Sequence, residues 1–348
     1  MSGRLKLRRG VVVEADPLIV EVDGERRRAW ADEVLLGEMR EGDEVVVNVA
    51  ALDLELGSGG FDIVHVNLTR GLDASAESDA HVIKLNYTSL QHPVAPVELP
   101  VRFMSAIGAK GAPEPGGSAM SVLVLPLHGH LAPAVWAAAQ ATPGLRVGYV
   151  QTAGGALPGS LSRDVVQLRE RDLLCGHITA APAYGGEHEG LSVAGALDAA
   201  AKGLGWEAAL VAPGPGIIGS ETRLGHGGMA ALDSAHAALA LGLPTLLSPR
   251  LSEADPRERH RGVSHHTLTV MELLLGAVEV PLPEGNLEVS SQLGEAGGGR
   301  HRLREAPVDL EGYAASGLPA RTMGRGIEED PLFFAAALAA GAALRREE

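Results

Sequence analysis

The side chains with the greatest capacity for chemistry are concentrated in one short segment that ends at His266. Four arginines and three histidines fall within 17 residues there, in a chain whose formal net charge is −15. A guanidinium binds a carboxylate or a phosphate through paired hydrogen bonds, and an imidazole changes its charge near neutral pH. We therefore expect the segment to bind a small anion and to transfer protons near pH 7. The expected ligand-binding residues are Arg250, Asp255, Arg257, Arg259, Arg261 and Ser264, and the expected catalytic histidines are His260, His265 and His266.

The same segment has a purely structural alternative, a solvated loop in which Glu253, Asp255 and Glu258 pair with the arginines. Ser264 is predicted to cap the helix that follows. The two histidines after it would then lie in the first turn, where unpaired N–H groups favour anions.

A second group is His128-Gly129-His130, which follows a predicted strand. Two imidazoles at positions i and i+2 share a face of an extended chain, and this spacing is typical of metal ligands. The sequence does not identify the third ligand that a full site needs. In the alternative reading, one histidine caps the next helix and the other is solvated.

A third group is Glu187-His188-Glu189, which lies between glycines in a predicted loop. These residues could supply a general base, or a metal ligand with its carboxylate partner. Carboxylates also stabilise the first turn of a helix, and that reading is equally good.

Glycine pairs follow two other predicted strands, at Gly154-Gly155 and at Gly214 with Gly216. Positions 214–219 match G-x-G-x-x-G, but the next helix begins too late and the expected acidic residue is missing, so no dinucleotide is predicted. The backbone of these loops could still bind an anion, with the second loop continued by Arg223 and His226. An ordinary strand-to-helix turn explains the first pair equally well.

These groups are expected to meet because short apolar runs alternate with Ala-rich helical patterns from residue 118 to residue 348. The alternation predicts a Rossmann-like parallel sheet with helices on both faces, and ligands of such sheets lie beyond the carboxyl ends of the strands. Asp330 and Pro331 predict the start of a last helix, with Arg345-Arg346 in its final turn.

The preceding part of the chain is rich in short alternating strands. Asp23-Gly24 is a strong hairpin signal, because both turn positions require positive φ. We predict a small β-barrel domain over residues 1–85 and a connector over residues 86–117, which are rich in Pro and Gly.

Composition excludes several classes of protein. With one cysteine among 348 residues, the chain cannot form an internal disulfide or a Cys-rich metal site. No apolar run approaches the length of a membrane-spanning helix, so we expect a soluble, cytoplasmic protein without a membrane partner. The acidic net charge repels phosphate backbones, which makes nucleic acid an unfavourable partner.

Several phrases of the sequence carry a resemblance to a known family. They are GDEVVVNVAALDLELGSGGFDIVHVN, APGPGIIGSETRLGHGGMAALDSAHAALALG, SEADPRERHRGVSHHTLTV and PARTMGRGIEEDP. In their order and spacing they resemble the bacterial domain of unknown function 3866 family, over nearly the whole chain. The resemblance implies that the barrel and the α/β part belong to one architecture, and it implies no activity or catalytic residue.

The sequence therefore leaves three functions open. The favoured one is an enzyme or sensor that binds a small carboxylate or phosphate at the strand ends. The second is a metal-dependent hydrolase with His128 and His130 as ligands. The third is a non-catalytic assembly protein that forms homo-oligomers through its Ala-rich helices. No cofactor is predicted.

Overall fold

In the computed structural model, which describes residues 4–56, 59–72, 80, 82–99 and 120–345, the chain divides into two compact units. The first unit comprises Met1–Ala80 with Ser89–Pro93, and the second comprises His81–Thr88 with Val94–Glu348. Residues 81–85, which we assigned to the barrel, thus belong to the second unit. Of the predicted connector, residues 100–117 lie outside the described residues.

The first unit is a closed five-stranded barrel in the order β1-β2-β3-β5-β4, as predicted. Its core consists mainly of valines from alternate positions of the strands, as in β2, where the buried Val20 and Val22 flank the exposed Glu21. Asp23 and Gly24 have φ values of 52° and 83°, which confirms the hairpin between β2 and β3. Its elements are β1 Leu7–Glu14, β2 Ile19–Val22, β3 Glu25–Trp30, α1 Glu33–Leu36, β4 Glu44–Asn48, α2 Ala50–Asp53 and β5 Asp62–Asn67.

The second unit contains an eight-stranded sheet in the order β11-β10-β9-β12-β8-β13-β16-β17, in which every neighbouring pair is parallel. The predicted α/β fold is therefore confirmed. The strands of the sheet are β8 Ser121–Val124, β9 Val147–Thr152, β10 Gly176–Ala180, β11 His188–Gly190, β12 Ala208–Pro213, β13 Thr245–Leu247, β16 Glu279–Pro283 and β17 Arg302–Ala306. Shorter strands are β6 Val82–Lys84, β7 His92–Val94, β14 Leu251–Ser252, β15 Gly262–Val263, β18 Arg321–Thr322 and β19 Arg325–Gly326.

Helices cover both faces of this sheet, and each face has its own apolar core. One face carries α5 Val193–Lys202, α6 Ala230–Ala240, α7 His265–Leu273 and α8 Leu287–Ala296. The other face carries α3 Leu131–Ala141, α4 Arg163–Glu170, α9 Leu310–Ala315 and α10 Pro331–Ala342.

The last helix, α10, begins where the sequence predicts, with Asp330 at the N-cap position and Pro331 at the start. Nearly all its residues are buried, so it is apolar on every side, as expected for a helix enclosed by other elements. A Cβ on Gly341 would collide with the carbonyl of Ala134, so glycine permits the close contact between α10 and α3. The helix ends at Ala342, and the expectation that Arg345 lies in its final turn is wrong.

Three strands of the sheet, β11, β16 and β17, were not predicted as strands. β16 has the sequence EVPLP, and proline is unfavourable inside a strand because it lacks the N–H group. β11 and β17 are the two edge strands, and both carry charged residues, which removes the apolar pattern that marks a buried strand.

Candidate functional site

The carboxyl end of β8 is the natural place for a ligand in this sheet. β8 lies between β12 and β13, and its own helix α3 covers one face, whereas the helices after β12 and β13 cover the other. A crevice opens where neighbouring strands send their connections to opposite faces. The loops that border it are residues 125–130, 214–229 and 248–264.

Four histidines from two of these loops and from the first turn of α7 come together, and we call His226, His260, His265 and His266 the histidine cluster. The rings of His226 and His266 are stacked, with centroids 3.5 Å apart and planes 8° apart. The centroid of His265 is 4.4 Å from that of His266, and the centroid of His260 is 4.8 Å from that of His266. Residues separated by up to 40 positions, 226 to 266, therefore form one contiguous group.

Ser264 positions three of these rings. Its side chain caps α7 by accepting a hydrogen bond from the His266 N–H, at 3.3 Å, which confirms the predicted cap and places His265 and His266 in the first turn. The same hydroxyl lies 2.7 Å from Nδ1 of His260. The backbone N–H of Ser264 also donates to the Arg250 carbonyl. Ser264, a strong N-cap residue, thus links the start of α7 to His260 and to the backbone of Arg250.

His226 reaches the cluster through a tight excursion of the loop after β12. The backbone N–H of Gly227 donates to the Ile218 carbonyl, and that of Ser220 donates to Gly225, so the chain returns to its starting point. A Cβ on Gly225 would collide with Ser220, which explains the glycine at this position.

Burial keeps the cluster neutral. It lowers the pKa of His266 to about 2 and that of His260 to about 3, with the charge of Arg250 adding to the effect in both. Burial also lowers the pKa of His226 and His265. For His260 and His266 these shifts differ from the expectation of proton exchange near pH 7, because an imidazole with so low a pKa carries no charge there.

Each of three histidines has one buried ring nitrogen without a hydrogen-bond partner among the described residues: Nδ1 of His226, Nε2 of His265 and Nδ1 of His266. One donor atom from each of these side chains can be chosen so that all three lie within 4.8 Å of one another. In the described part of the chain, no other group of three His, Cys, Asp or Glu side chains converges in this way. These three histidines are therefore the residues that could hold a metal.

The arginines of the segment mainly surround a buried carboxylate. Asp255 accepts hydrogen bonds from Arg257, at 2.9 Å to both Nε and Nη2, and from Nη2 of Arg250 at 3.1 Å. Nη2 of Arg325 lies 3.5 Å from the same carboxylate. Burial alone would raise the pKa of Asp255, but the hydrogen bonds from Arg257 and the charges of both nearby arginines bring it well below its usual range.

A second buried carboxylate joins this network. Asp330 accepts from Ser252 Oγ at 2.6 Å and from Arg325 Nε at 3.1 Å. Its side chain therefore makes no capping bond to α10, although it occupies the predicted N-cap position. Three guanidiniums (Arg250, Arg257 and Arg325) share two carboxylates (Asp255 and Asp330), which leaves a formal surplus of one positive charge.

The structural alternative from the sequence is thus right for Asp255, and the remaining arginines are partly engaged as well. Nη2 of Arg259 lies 3.2 Å from Glu221, an exposed residue, and Nε of Arg261 donates to the Asp255 carbonyl at 3.0 Å. Two guanidinium nitrogens, Nε of Arg250 and Nε of Arg259, are buried without a hydrogen-bond partner within the described ranges. Burial lowers the pKa of Arg250 to about 10, so it stays charged at neutral pH.

His128 and His130 lie at the same edge of the sheet but make separate contacts. Nε2 of His128 is 2.8 Å from Ser162 Oγ, and its Nδ1 is 3.4 Å from the Tyr149 hydroxyl. Nδ1 of His130 is 2.9 Å from Ser248 Oγ, and its ring packs edge-on against Phe333. The two histidines do not belong to the converging group of three, and the described residues supply no third ligand for the predicted metal site.

We expected Glu187, His188 and Glu189 to lie in a loop that runs into a helix, and the structure differs. His188 and Glu189 lie in β11, the edge strand, and the helix begins at Val193. β11 is three strands from β12, or about 14 Å at the usual strand spacing. Glu189 forms an ion pair with the buried Lys84 at 2.5 Å, so it has a structural partner that the sequence did not indicate.

Lys84 is held by three acceptors, since it also donates to the carbonyls of Thr179 and Ala183 at 2.7 Å. Glu187 lies 2.9 Å from Arg169. The structure thus separates the third predicted group from the histidine cluster.

The predicted anion-binding glycines have a packing role. A Cβ on Gly155 would collide with the Gly214 carbonyl, and one on Gly154 would collide with the Gly227 carbonyl. Gly216 has φ +74°, a conformation that favours glycine. Gly154, Gly155 and Gly214 let the loops after β9 and β12 pack closely, and this contact accounts for these three glycines without a ligand.

His226 is the member of the cluster that sequence reasoning did not connect with the others. It was placed with the glycine loop, as part of an anion site. The signal that could have found it is its position beyond the carboxyl end of β12, next to β8, together with the His265-His266 pair beyond β13.

Fold and site together define an α/β protein with a parallel sheet, a small barrel and a candidate site at the sheet's topological switch point. The chain belongs to the family described as protein of unknown function (DUF3866), whose family model matches residues 28–341, nearly the whole chain. Neither the curated proteins nor the solved structures gave a match. Within the described residues, no helix has the length and apolar character needed to cross a membrane.

Proposed function

We propose that this protein is an enzyme or sensor that binds a small anionic molecule at the carboxyl end of β8, between Arg250 and the histidine cluster. A carboxylate or a phosphate group fits this role, since both accept the paired hydrogen bonds of a guanidinium. The neutral imidazoles would then orient the molecule as hydrogen-bonding groups.

The observation that carries the proposal is the surplus positive charge around Arg250. This side chain is only 4% exposed, shares Asp255 with two other guanidiniums, and keeps an Nε–H without a hydrogen-bond partner among the described residues. A buried and incompletely paired cation is costly, and an anionic ligand would offset that cost. Arg259 supports the same reading, because its Nε–H is also buried without a partner in the described part of the chain.

A ligand-stabilisation experiment tests the proposal. The thermal midpoint of the full chain is measured with inorganic phosphate and with small carboxylates at rising concentrations. A ligand at 100 times its Kd stabilises the folded state by about 2.7 kcal/mol, which gives a shift of several degrees. We expect such a shift for the wild type and its loss in Arg250→Met.

Two further variants make the result specific. Arg302→Met removes an exposed arginine of the edge strand β17 and should keep the wild-type shift. If Arg250→Met does not fold, Arg259→Met takes its place. A wild type that gains no stability from any of these anions, or variants that gain as much as the wild type, would contradict the proposal and favour a non-catalytic assembly protein.

We also propose that the protein works in the cytoplasm on a small molecule and not on nucleic acid or membrane. A net charge of −15 disfavours polyanionic partners and anionic lipid, and a chain with a single cysteine does not depend on an oxidising compartment.

A further inference from the structure

Three imidazole side chains of the histidine cluster lie close enough together to share one metal ion, toward which the stacked rings of His226 and His266 would have to turn. Each of His226, His265 and His266 has one ring nitrogen that is buried without a hydrogen-bond partner among the described residues, and donor atoms of these side chains converge within 4.8 Å. Leaving a buried polar atom unpaired costs about 1–3 kcal/mol. Three such atoms in one place cost more than a single unpaired nitrogen would, so their arrangement requires an explanation.

The tautomer of His226 supports ligation. Its Nε2 lies 3.0 Å from the carbonyl oxygen of Arg223, which can only accept a hydrogen bond. Nε2 therefore carries the proton, and Nδ1 of the neutral ring presents a lone pair. Metal-bound histidines are held in the same way, with the distal N–H donated to a carbonyl or a carboxylate.

Gly228 keeps the space beside two of the three unpartnered nitrogens free of side-chain atoms. A Cβ on Gly228 would lie 3.0 Å from Nδ1 of His226 and 3.2 Å from Nδ1 of His266. Both unpartnered nitrogens thus border the same small volume next to the main chain of Gly228. Any residue other than glycine would place its Cβ atom there.

We propose that His226, His265 and His266 bind one divalent transition-metal ion of the zinc class. Three imidazoles suit zinc, cobalt, nickel, copper or iron, whereas magnesium and calcium prefer oxygen ligands. Three protein ligands leave the fourth position of a tetrahedral ion for water or for an oxygen of a bound anion, as in catalytic zinc sites.

The inference concerns a metal and stands independently of the proposed anion. The surrounding charge nevertheless connects the two, because Arg250, Arg257 and Arg259 all lie close enough to His265 to lower its pKa, after the larger effects of burial and His226. These guanidiniums oppose the binding of a bare dication. An anion that touches both the ion and Arg250 would relieve that repulsion.

The test uses the full chain, stripped with a chelator and titrated with Co²⁺, and then with Zn²⁺ against a chromophoric competitor, in buffer without phosphate or carboxylate. We expect one ion per chain. The cobalt spectrum should show no thiolate-to-cobalt charge-transfer band, because the only cysteine, Cys175, is not one of the proposed ligands. His265→Gln should weaken binding by about 100-fold or more, beyond the 10–100-fold typical of outer-shell partners.

Two matched variants complete the experiment. His236→Gln removes a histidine of α6 outside the cluster and should bind as the wild type does. Gly228→Ala keeps every histidine but fills the space beside the two Nδ1 atoms, and should weaken binding by about tenfold or more. If His265→Gln does not fold, Gly228→Ala and X-ray absorption of the zinc-loaded wild type, with three nitrogen ligands at about 2.0–2.1 Å, decide the question.

The inference is overturned if the wild type binds no stoichiometric metal, or if the cluster variants bind as tightly as His236→Gln. These outcomes are separate from those of the anion experiment, in which phosphate is added to metal-free protein and Arg250 is the variable residue. Metal binding without anion binding would support the inference and contradict the proposed function, and the reverse result would do the opposite.

Discussion

Two groups of histidines lie at the same edge of the sheet, and they differ in what their ring nitrogens contact. In the first, both nitrogens of His128 have partners, Ser162 and Tyr149, whereas His130 contacts Ser248 through Nδ1 and keeps one buried nitrogen, Nε2, without a partner among the described residues. In the histidine cluster, three side chains each have one buried nitrogen without a partner among the described residues, and donor atoms of these three side chains lie within 4.8 Å of one another. The first group therefore has the character of a structural network, and the second has the character of a binding site.

The difference shows that a spacing motif depends on the backbone it assumes. His128 and His130 share a face only in an extended chain, but residues 128–130 form a 3₁₀ turn. At three residues per turn, positions i and i+2 point in widely different directions, so one ring contacts Tyr149 and the other contacts Phe333. The cluster, by contrast, joins His226 to a histidine-rich segment farther along the chain, and no spacing motif links the two.

Metal affinity should separate the two groups by the largest margin. We expect His266→Gln to weaken Zn²⁺ binding by about 100-fold or more, whereas His128→Gln should change it by less than about twofold, since distant sites act independently. Competition with a chromophoric chelator measures both. Equal losses in the two variants would mean that the distinction between the groups is wrong.

For the free energy of unfolding, the first group of histidines should be the important one. Ser162 caps α4 and also bonds His128, so Ser162→Ala loses a cap and leaves a buried imidazole nitrogen unpaired, at a cost of about 2–4 kcal/mol. Ser192→Ala is the matched control, because Ser192 caps α5 through the Gly195 N–H alone and should cost about 1 kcal/mol. Denaturant unfolding of both variants gives the comparison, and a Ser162→Ala variant no less stable than Ser192→Ala would refute the structural role.

Acid should destabilise the protein through its buried histidines, and two of them, His130 and His177, lie outside the cluster. Burial lowers the pKa of His130 and of His177 to about 3, so below pH 6.5 the unfolded chain binds protons that the folded chain excludes. Stability is therefore complete above pH 6.5 and falls as the pH drops toward 3. Each histidine should contribute a loss of about 2 kcal/mol between pH 6.5 and pH 5.

The measurement is the free energy of unfolding in urea at pH 7, 6 and 5. His177→Phe keeps a ring stacked on Tyr149 but removes the titrating group, and should flatten the pH dependence by about one proton. An unchanged slope in this variant would show that His177 remains protonatable in the folded protein.

The smallest expected effect sharpens the comparison further, because only the histidine cluster has three arginines around one of its rings. Inorganic phosphate should raise the affinity for Zn²⁺ by about fivefold or more, at the low end of the usual range for coupling between sites. Arg259→Met should reduce that gain. Zinc affinity that is independent of phosphate would mean that the two ligands do not share a site.

Much of the fold was predictable because it depends on local patterns. Alternating valines and Asp23-Gly24 predicted the barrel, and the strand-helix alternation predicted the parallel sheet. Ser264 caps α7 as predicted, and Asp330 occupies the predicted N-cap position of α10 without a side-chain capping bond. The two edge strands and β16 were missed, because charged residues and proline obscure the apolar run that identifies a buried strand.

The sequence by itself determined the fold class, the hairpin, the helix starts and the presence of histidines and arginines beyond the strand ends. These features follow from periodicity and from backbone preferences that act over a few residues. Only the tertiary structure decided which of those side chains meet. β12 inserts beside β8 and brings His226 against His266, Asp255 draws the arginines together, and Lys84 holds Glu189 at the distant edge. Such contacts join residues far apart in the chain, and strand order and loop geometry set them.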